Sequence, residues 1–217
     1  MLKRRISTLT LMAIMANSLG SPIYAFNEAM DSQSAIENKV EEKKVYVEKF
    51  DLYNNPKLDE YNSIYKLDNS KIKSITNNGG RYGSSTIDKS TDNNFSTHWE
   101  TGKPNSDTFT NEVVVTFDEV ENLNRIVYAS RQDGAKGKGF AQEVEIYSSL
   151  TEDGDDFQLV GTGSYSGSNG DIVEMKFNST DFKRLKFVFK KANQGWASAS
   201  EFMFYKEDIA LDKVKTL

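Results

Sequence analysis

The segment from Ser90 to Glu100 carries side chains that can bind a metal ion through oxygen. Asp92, Asn94 and Thr97 offer three hard oxygen ligands within one tight loop. Glu201 lies at the start of the last predicted strand, and the first loops and the last strand of a β-sandwich can meet. The two carboxylates would then share one site with carbonyl and hydroxyl oxygens, which suits calcium with its roughly six to eight oxygen ligands. Magnesium is the second choice, because it prefers octahedral geometry and retains water.

The rest of the composition excludes several kinds of active site. The 217 residues include no cysteine, which excludes a disulfide scaffold, a thiolate zinc site and a cysteine nucleophile. His98 is the single histidine, so a zinc site with two imidazoles is excluded and a serine triad would have to use this residue. No acidic pair stands in a recognisable glycosidase pattern, and Asp92 and Glu201 are better explained by a metal. The sequence therefore predicts that this chain is not an enzyme.

The N-terminus has the order of a secretory signal peptide. Three bases, Lys3, Arg4 and Arg5, form a positively charged start. An apolar stretch then runs to Leu19, and Ala25 offers a small residue for cleavage. The apolar stretch is shorter than the roughly 20 residues that a membrane-spanning helix needs. We therefore expect a secreted protein with no membrane span after cleavage.

Charge narrows the choice of partner. The chain has 27 basic and 32 acidic residues and a net charge of −5. Cleavage of the signal moves this charge to −8, because that segment holds three bases and no acid. An acidic exported body does not suit nucleic acid or an anionic membrane as a partner.

Composition divides the chain into four regions. Residues 1–25 are the signal peptide, and residues 26–64 are a mostly polar linker with one short strand around Val45–Phe50. Residues 65–207 are the folded domain, and residues 208–217 begin a helix or a further linker. The helical spacing of this last segment ends without a cap, so we expect further domains of a larger protein.

Alternating apolar and polar residues dominate the folded domain. A period of two predicts strands with one face in a core and one face in water. The predicted strands are Ile72–Ile75, Val113–Phe117, Ile126–Ala129, Val144–Ile146, Phe157–Val160, Val173–Phe177, Leu185–Phe189 and Phe202–Tyr205. Turn signals separate them, and the acidic run Asp153–Asp156 predicts a solvated hairpin turn because it lacks EF-hand spacing. The pattern predicts an all-β fold, an antiparallel β-sandwich of the jelly-roll type.

Several short patterns stand in the order that one known family shows. They are Asp92 with Thr97 and Trp99, an arginine after a strand in Tyr128–Gln132, Gly139-Phe140 before Val144–Ser148, and the closing Ala199–Phe202. Together they resemble the discoidin, or coagulation-factor C-type, domain, and within it the family 32 carbohydrate-binding modules. The stretch Thr97–Thr101 behind a secretion signal is also similar to the modules attached to enhancin-like zinc metallopeptidases.

The resemblance implies a galactose-binding-domain-like jelly roll with a structural calcium ion. It implies side-chain ligands from Asp92, Thr97 and Glu201, and backbone carbonyls near Lys89, Asn94 and Ser200. The usual Gly-Asn-Pro after the first aspartate is replaced by Asn-Asn-Phe at positions 93–95, so the loop shape departs from the family pattern.

Sugar recognition needs an aromatic face for the apolar side of the ring, and planar donors and acceptors for its hydroxyls. Arg131 offers a rigid fork of donors, and Trp196 lies where the family often presents an aromatic side chain. Tyr82 could form another wall, and Glu100 and Lys138 are further polar candidates. Each has a plain structural alternative, in which Trp196 packs at the rim of the core, Arg131 bonds loop carbonyls and Tyr82 is an ordinary loop aromatic.

The sequence leads to one main function and two alternatives. The main one is a secreted, non-catalytic, calcium-stabilised carbohydrate-binding module for terminal galactose- or N-acetylhexosamine-type sugars of glycans and glycoproteins. The first alternative is a discoidin-type adhesion domain for protein or phospholipid, for which Arg131, Lys136 and Lys138 form a small basic patch. The second is the N-terminal part of a larger secreted metallopeptidase or glycosidase. We expect His98 to form a hydrogen bond within its loop rather than to bind sugar.

Overall fold

Alternating sequence patterns become antiparallel strands in the computed structural model, which describes residues 43–50, 65–134 and 138–206. The strands are β1 Tyr46–Lys49, β2 Ile72–Asn77, β3 Trp99–Glu100, β4 Glu112–Ala129, β5 Ala141–Ser149, β6 Gln158–Ser164, β7 Ile172–Ala192, β8 Ser198–Ala199 and β9 Glu201–Tyr205. Helical structure in these ranges is limited to short 3₁₀ turns at Asn69–Lys71, Ile87–Ser90 and Asn193–Gly195. No helix within them could cross a membrane. The predictions for residues 1–25, for most of the 26–64 linker and for residues 208–217 lie outside the described residues.

Two long strands, β4 and β7, run through both layers of the sandwich. β2 pairs with the first part of β4, and β9 pairs with its last part. β5 pairs with the second part of β7, and β1 pairs with its first part. The register between β4 and β7 shifts between Thr116 and Glu121, which marks the bend where both strands pass from one layer to the other. The fold is the antiparallel jelly-roll sandwich that the sequence predicts.

Aromatic side chains fill the space between the layers around Tyr128. Its ring centroid lies 6.0 Å from that of Phe187 and 5.6 Å from that of Phe202. Burying side chains of this size stabilises the fold by roughly 1.5–3 kcal/mol each. The Tyr128 hydroxyl donates to the Ser198 carbonyl at 2.8 Å, and burial raises the pKa of this phenol. This bond ties the start of β8, and the loop before it, to the core.

Residues 43–50 pack against the sandwich. The sequence predicts one short strand here, and the structure has β1, paired with β7 along Tyr46–Lys49. The Val45 amide also donates to the Thr162 carbonyl of β6 at 2.7 Å. A Cβ built at Gly163 would lie 2.7 Å from Val47 Cγ2, closer than two carbon atoms approach. Glycine in β6 therefore permits the segment to cross the strand in close contact.

A buried guanidinium organises the acidic turn between β5 and β6. The Arg184 side chain, 9% exposed, donates to the Thr151 carbonyl at 2.9 Å and to the Gly154 carbonyl at 3.0 Å. It also donates to the Asp153 carbonyl and to Asp156 Oδ1, each at 2.8 Å. A cation of the protein itself thus occupies the centre of this hairpin turn.

We expect Arg184→Met to lower the free energy of unfolding by about 2–4 kcal/mol, because several hydrogen bonds of roughly 1 kcal/mol each are lost together. Urea unfolding followed by tryptophan fluorescence measures the change. Lys190→Met is the matched control, since its exposed pair with Glu145 at 3.4 Å should contribute less than about 1 kcal/mol. Equal stability of the two variants would contradict the structural role of Arg184.

Candidate functional site

The loops at one end of the sandwich hold all five predicted sugar contacts. The Tyr82 amide donates to the Glu100 carbonyl at 2.8 Å, and the Thr101 amide donates to the Ala197 carbonyl at 2.9 Å. Further bonds between these loops run from the Gly139 amide to the Asn193 carbonyl at 3.1 Å and from the Gly170 amide to the Arg131 carbonyl at 2.9 Å. We call the surface formed by residues 80–86, 98–102, 131–134, 138–140 and 193–197 the loop surface.

Arg131 lies between two carboxylates of the loop surface. Nη1 donates to Glu100 Oε2 at 2.5 Å, Nη2 donates to Asp133 Oδ2 at 2.5 Å, and Nε donates to Asp133 Oδ1 at 3.3 Å. The Arg131 and Glu100 side chains are 12% and 8% exposed, so this pair is largely shielded from water. A guanidinium has five N–H donors, which leaves one N–H on each Nη atom for a ligand. The sequence predicts Arg131 and Glu100 as site residues but does not predict Asp133.

The two carboxylates also keep the guanidinium charged. Burial acts to lower the pKa of Arg131, but the hydrogen bond to Asp133 and the charge of Glu100 outweigh it and raise this pKa. The three side chains together carry one negative charge. Arg131 therefore does not act as a free cation, and the predicted basic patch is weaker than its sequence indicates. Lys136 of that patch lies outside the described residues.

Tyr82 and Trp196 form the aromatic part of the loop surface. Their ring centroids are 6.3 Å apart and their planes meet at 80°, an edge-to-face arrangement. Tyr82 is 62% exposed, and Trp196 is half-buried. Lys138 Nζ lies 5.3 Å from the Trp196 ring centroid. Aromatic faces and polar groups are thus close enough to contact one sugar.

The backbone before Trp196 has an unusual conformation. Gln194 has a φ of 55°, which is uncommon for a residue other than glycine, and Gly195 follows with a φ of 77°. The Gly195 carbonyl accepts a hydrogen bond from the Asn105 amide at 2.7 Å, which holds this turn in place. Strain of about 1–3 kcal/mol persists only where neighbouring structure maintains it. Here it places Trp196 at the surface rather than in the core.

His98 immediately precedes β3, the two-residue strand of Trp99 and Glu100. Trp99 is 0% exposed in the core, whereas Glu100 directs its carboxylate to Arg131 and His98 is half-buried. Nε2 lies 3.4 Å from Ser85 Oγ, a loop contact of the kind that the sequence predicts. Burial and the charge of Arg131 lower the pKa of His98, so the ring is neutral at pH 7. A neutral imidazole can accept a hydrogen bond from a hydroxyl, a role that the sequence does not predict for His98.

The predicted metal ligands form a second group, the oxygen loop, made of residues 89–97 with Ser200 and Glu201. Thr97 Oγ1 lies 2.7 Å from Asp92 Oδ2 and 2.9 Å from the Asn94 carbonyl oxygen. The Asn94 amide donates to Asp92 Oδ1 and to Glu201 Oε1, each at 2.9 Å. Residues separated by more than 100 positions in the sequence are therefore brought into one cluster of oxygens. Lys89 directs its Nζ away, to the Ser84 carbonyl at 2.7 Å.

Glu201 contributes a buried carboxyl group to this cluster. The side chain is 0% exposed, and its Oε2 has no hydrogen-bond partner among the described residues. Burial, followed by the hydrogen bond with Asp92, raises the pKa of Glu201 to about 8. A buried carboxylate with one oxygen unsatisfied is costly unless a cation or a proton compensates it. The donor set of Asp92, Thr97 and Glu201 therefore fits a calcium ion.

Carbonyl oxygens would have to complete any such shell. No group of three or more His, Asp or Glu side chains gathers within the described ranges, so carboxylates alone cannot form it. Backbone oxygens near Lys89, Asn94 and Ser200 are the ones that the sequence predicts for this purpose. Ser200 Oγ is also buried without a partner in the described structure.

Known families and structures resemble this chain. Residues 71–202 match the family model of the F5/8 type C domain. The structure of the CBM32-1 and CBM32-2 domains from Clostridium perfringens ZmpB in complex with GalNAc is 64% identical, with a TM-score of 0.74, over 77% of this chain and 42% of that one. The ZmpB structure that also contains the M60 catalytic domain is 63% identical, with a TM-score of 0.74, over 80% of this chain and 18% of that one.

A more distant similarity supports the fold alone. The family 32 CBM from C. perfringens NanJ in complex with galactose is 20% identical, with a TM-score of 0.56, over 65% of this chain and 98% of that one. None of the curated proteins matches the chain. The chain spans less than half the length of the ZmpB structures to which it is similar.

Proposed function

The chain belongs to the F5/8 type C domain family, and on this premise we propose that it is a secreted, non-catalytic carbohydrate-binding module. Its ligands are terminal galactose- or N-acetylhexosamine-type sugars of glycans and glycoproteins, and calcium stabilises its fold. The observation that carries the proposal is the shielded Arg131–Glu100 pair beside the accessible rings of Tyr82 and Trp196. The similarity to a GalNAc-bound ZmpB structure supports the same class of ligand.

In the loop surface, polar groups bind the sugar hydroxyls and aromatic groups contact the sugar ring. The remaining N–H groups of Arg131 donate to sugar hydroxyls, and Glu100 and His98 accept from them. Trp196 and Tyr82 contact the apolar faces of the sugar. Because Arg131 is already held by Glu100 and Asp133, little side-chain entropy is lost when the sugar binds.

Calcium is assigned to the oxygen loop. Asp92, Thr97 and Glu201 would hold it with side-chain oxygens, and backbone carbonyls near Lys89, Asn94 and Ser200 would complete the shell. Its contribution there is charge compensation for Glu201 and closure of the loop between residues 89 and 97. Support comes from the buried Glu201 Oε2, which no described group satisfies.

The wider context of the module is also part of the proposal. A signal peptide at residues 1–25 would export it, and further domains of a larger secreted enzyme would supply any catalysis. The ZmpB structure with an M60 catalytic domain supports such an arrangement. An adhesion domain for phospholipid is less favoured, because Arg131 is neutralised by Glu100 and Asp133.

Calorimetric titration with GalNAc and with galactose tests the proposed function. We expect dissociation constants of ~10⁻⁴ to 10⁻³ M, since an exposed terminal sugar offers few hydroxyls to the protein. A folded protein that binds none of the terminal sugars on a glycan array would refute the proposal.

Trp196→Ala should weaken GalNAc binding at least tenfold, equivalent to about 1.4 kcal/mol, because the sugar loses its main aromatic contact. Tyr46→Ala is the matched control, since it removes another exposed ring, 63% accessible, from β1. Its affinity for GalNAc should equal that of the unmodified protein. Equal affinity in both variants would show that Trp196 does not contact the sugar.

His98→Ala should weaken GalNAc binding about three- to tenfold, the range expected for one hydrogen bond of about 0.5–1.5 kcal/mol. His98→Gln keeps a hydrogen-bond acceptor and should recover part of the loss. Thermal unfolding of both variants separates this effect from the structural contact of His98 with Ser85. Unchanged affinity in His98→Ala would restrict the residue to that structural contact.

A further inference from the structure

Four cationic residues belong to the loops that carry or adjoin the aromatic part of the loop surface. They are Arg81, Lys89, Lys103 and Lys138, and all but the half-buried Lys89 are exposed. Arg81 is the neighbour of Tyr82, and Lys138 Nζ lies over the Trp196 ring. We call these four residues the cationic rim.

Arg81 and Lys103 lie on one side of the rim. A Cβ built at Gly102 would be 2.7 Å from the Arg81 carbonyl oxygen, so the two backbone segments are in direct contact. Lys103 Nζ lies 3.9 Å from the Phe109 ring centroid. Two residues further along, the Asn105 amide bonds the Gly195 carbonyl beside Trp196, so this side borders the sugar site.

Salt bridges distinguish the cations on the sides of the sandwich from the cationic rim. Lys190 pairs with Glu145 at 3.4 Å and Lys191 pairs with Glu143 at 3.6 Å. Other paired cations are Lys49, Lys73, Arg125, Lys176, Lys183, Arg184, Lys186 and Lys206. Across the described ranges, the four rim residues form no salt bridge.

The acids near the rim cancel only part of this charge. Glu100 and Asp133 are both engaged by Arg131, and the three side chains together carry one negative charge. Asp88 and Asp107 are exposed in the same loops, which leaves one more positive charge than negative ones. The whole chain has a net charge of −5, so positive charge is concentrated at the sugar site against the overall balance.

We infer that the sugar site prefers glycans with an anionic group, a sulfate ester or a carboxylate, on or next to the bound sugar. This inference rests on the proposed function, because the rim acts only on a ligand that the loop surface already holds. A neutral sugar needs no unpaired cations, whereas flexible Arg and Lys side chains reach an oxyanion at the edge of the bound ring. Such exposed charge contacts are weakened by salt.

Calorimetric titration with two matched pairs of sugars tests the inference. The pairs are GalNAc with GalNAc 6-sulfate, and lactose with 3′-sialyllactose. At low ionic strength we expect at least one anionic member to bind about fivefold more tightly than its neutral partner, and this gain should largely disappear near 1 M salt. The pair that shows the gain distinguishes a sulfate ester from a carboxylate.

The variant Lys103→Gln should lose part of the gain while its affinity for GalNAc stays within about twofold of the unmodified protein. The matched control Lys190→Gln removes the same charge from the side of the sandwich and should keep the gain. Anionic and neutral sugars that bind equally, or anionic sugars that bind more weakly, would overturn the inference and leave the proposed function intact. Failure to bind GalNAc and lactose at all would instead overturn the proposed function.

Discussion

Removing calcium with EDTA should lower the midpoint of thermal unfolding by about 5–10 °C. Calcium held at about 100 times its dissociation constant contributes about 2.7 kcal/mol to the folded state. In a protein of this size, 1 kcal/mol shifts the midpoint by about 2–4 °C. The effect originates in the oxygen loop, where the buried Glu201 Oε2 has no partner in the described structure and Asp92 brings a second carboxylate beside it. Scanning fluorimetry with added calcium and with added chelator measures the shift.

Two variants test whether the response to calcium originates in the oxygen loop. Glu201→Gln removes the charge that calcium would compensate, so its melting midpoint should be the same with calcium and with chelator. Asp156→Asn removes an acid from the β5–β6 turn, where Arg184 and not a metal supplies the positive charge, and it should keep the full response to calcium. A melt of the unmodified protein that ignores the chelator would contradict the calcium site and leave the sugar site untouched.

Strand positions could be predicted from the sequence because a half-buried strand imposes a period of two on its side chains. The sequence predicts Val113–Phe117 and Ile126–Ala129 as separate strands, whereas the structure joins them in β4, Glu112–Ala129. The same holds for Val173–Phe177 and Leu185–Phe189, which both belong to β7, Ile172–Ala192. A strand that bends from one layer to the other keeps its backbone pairing but loses its alternation at the bend. The residues at the bend therefore have the polarity of a loop.

The contacts between side chains of the sugar site could not be predicted from the sequence. Residue types indicate Arg131 and Glu100 as candidates, but their contact at 2.5 Å joins positions 31 residues apart and depends on how the loops are held together. Asp133 has no distinctive signal, because an aspartate before a glycine is common in turns. Only the structure shows that its carboxylate meets the guanidinium from the side opposite Glu100.

The sequence predicts the direction of the His98 side chain but leaves its role ambiguous. An extended chain alternates its side chains, so burial of Trp99 predicts that residues 98 and 100 share the opposite face. The groups that surround this face include Ser85 and Arg131, which belong to other loops. Local sequence thus predicts the direction of a side chain, while its surroundings come from the tertiary fold.

Arg131→Ala should abolish measurable GalNAc binding, because two charge-assisted hydrogen bonds of about 1.5–3 kcal/mol each are lost from a ligand whose binding is weak. The same variant leaves Glu100 buried without its partner, which should cost about 3–5 kcal/mol of stability. Loss of binding in this variant alone would therefore not separate a direct contact from unfolding of the loops. A substitution that keeps the charge is needed.

Arg131→Lys makes that separation. Its ammonium can still compensate Glu100 and Asp133, so most of the stability should remain, but it lacks the planar fork that directs two further N–H groups at the sugar. We expect GalNAc affinity at least tenfold weaker, with a midpoint of thermal unfolding close to that of the unmodified protein. Arg125→Lys is the matched control, because Arg125 pairs with the buried Glu174 at 3.1 Å away from the loop surface. If Arg131→Lys binds GalNAc as well as Arg125→Lys does, the guanidinium holds the loops together and does not contact the sugar.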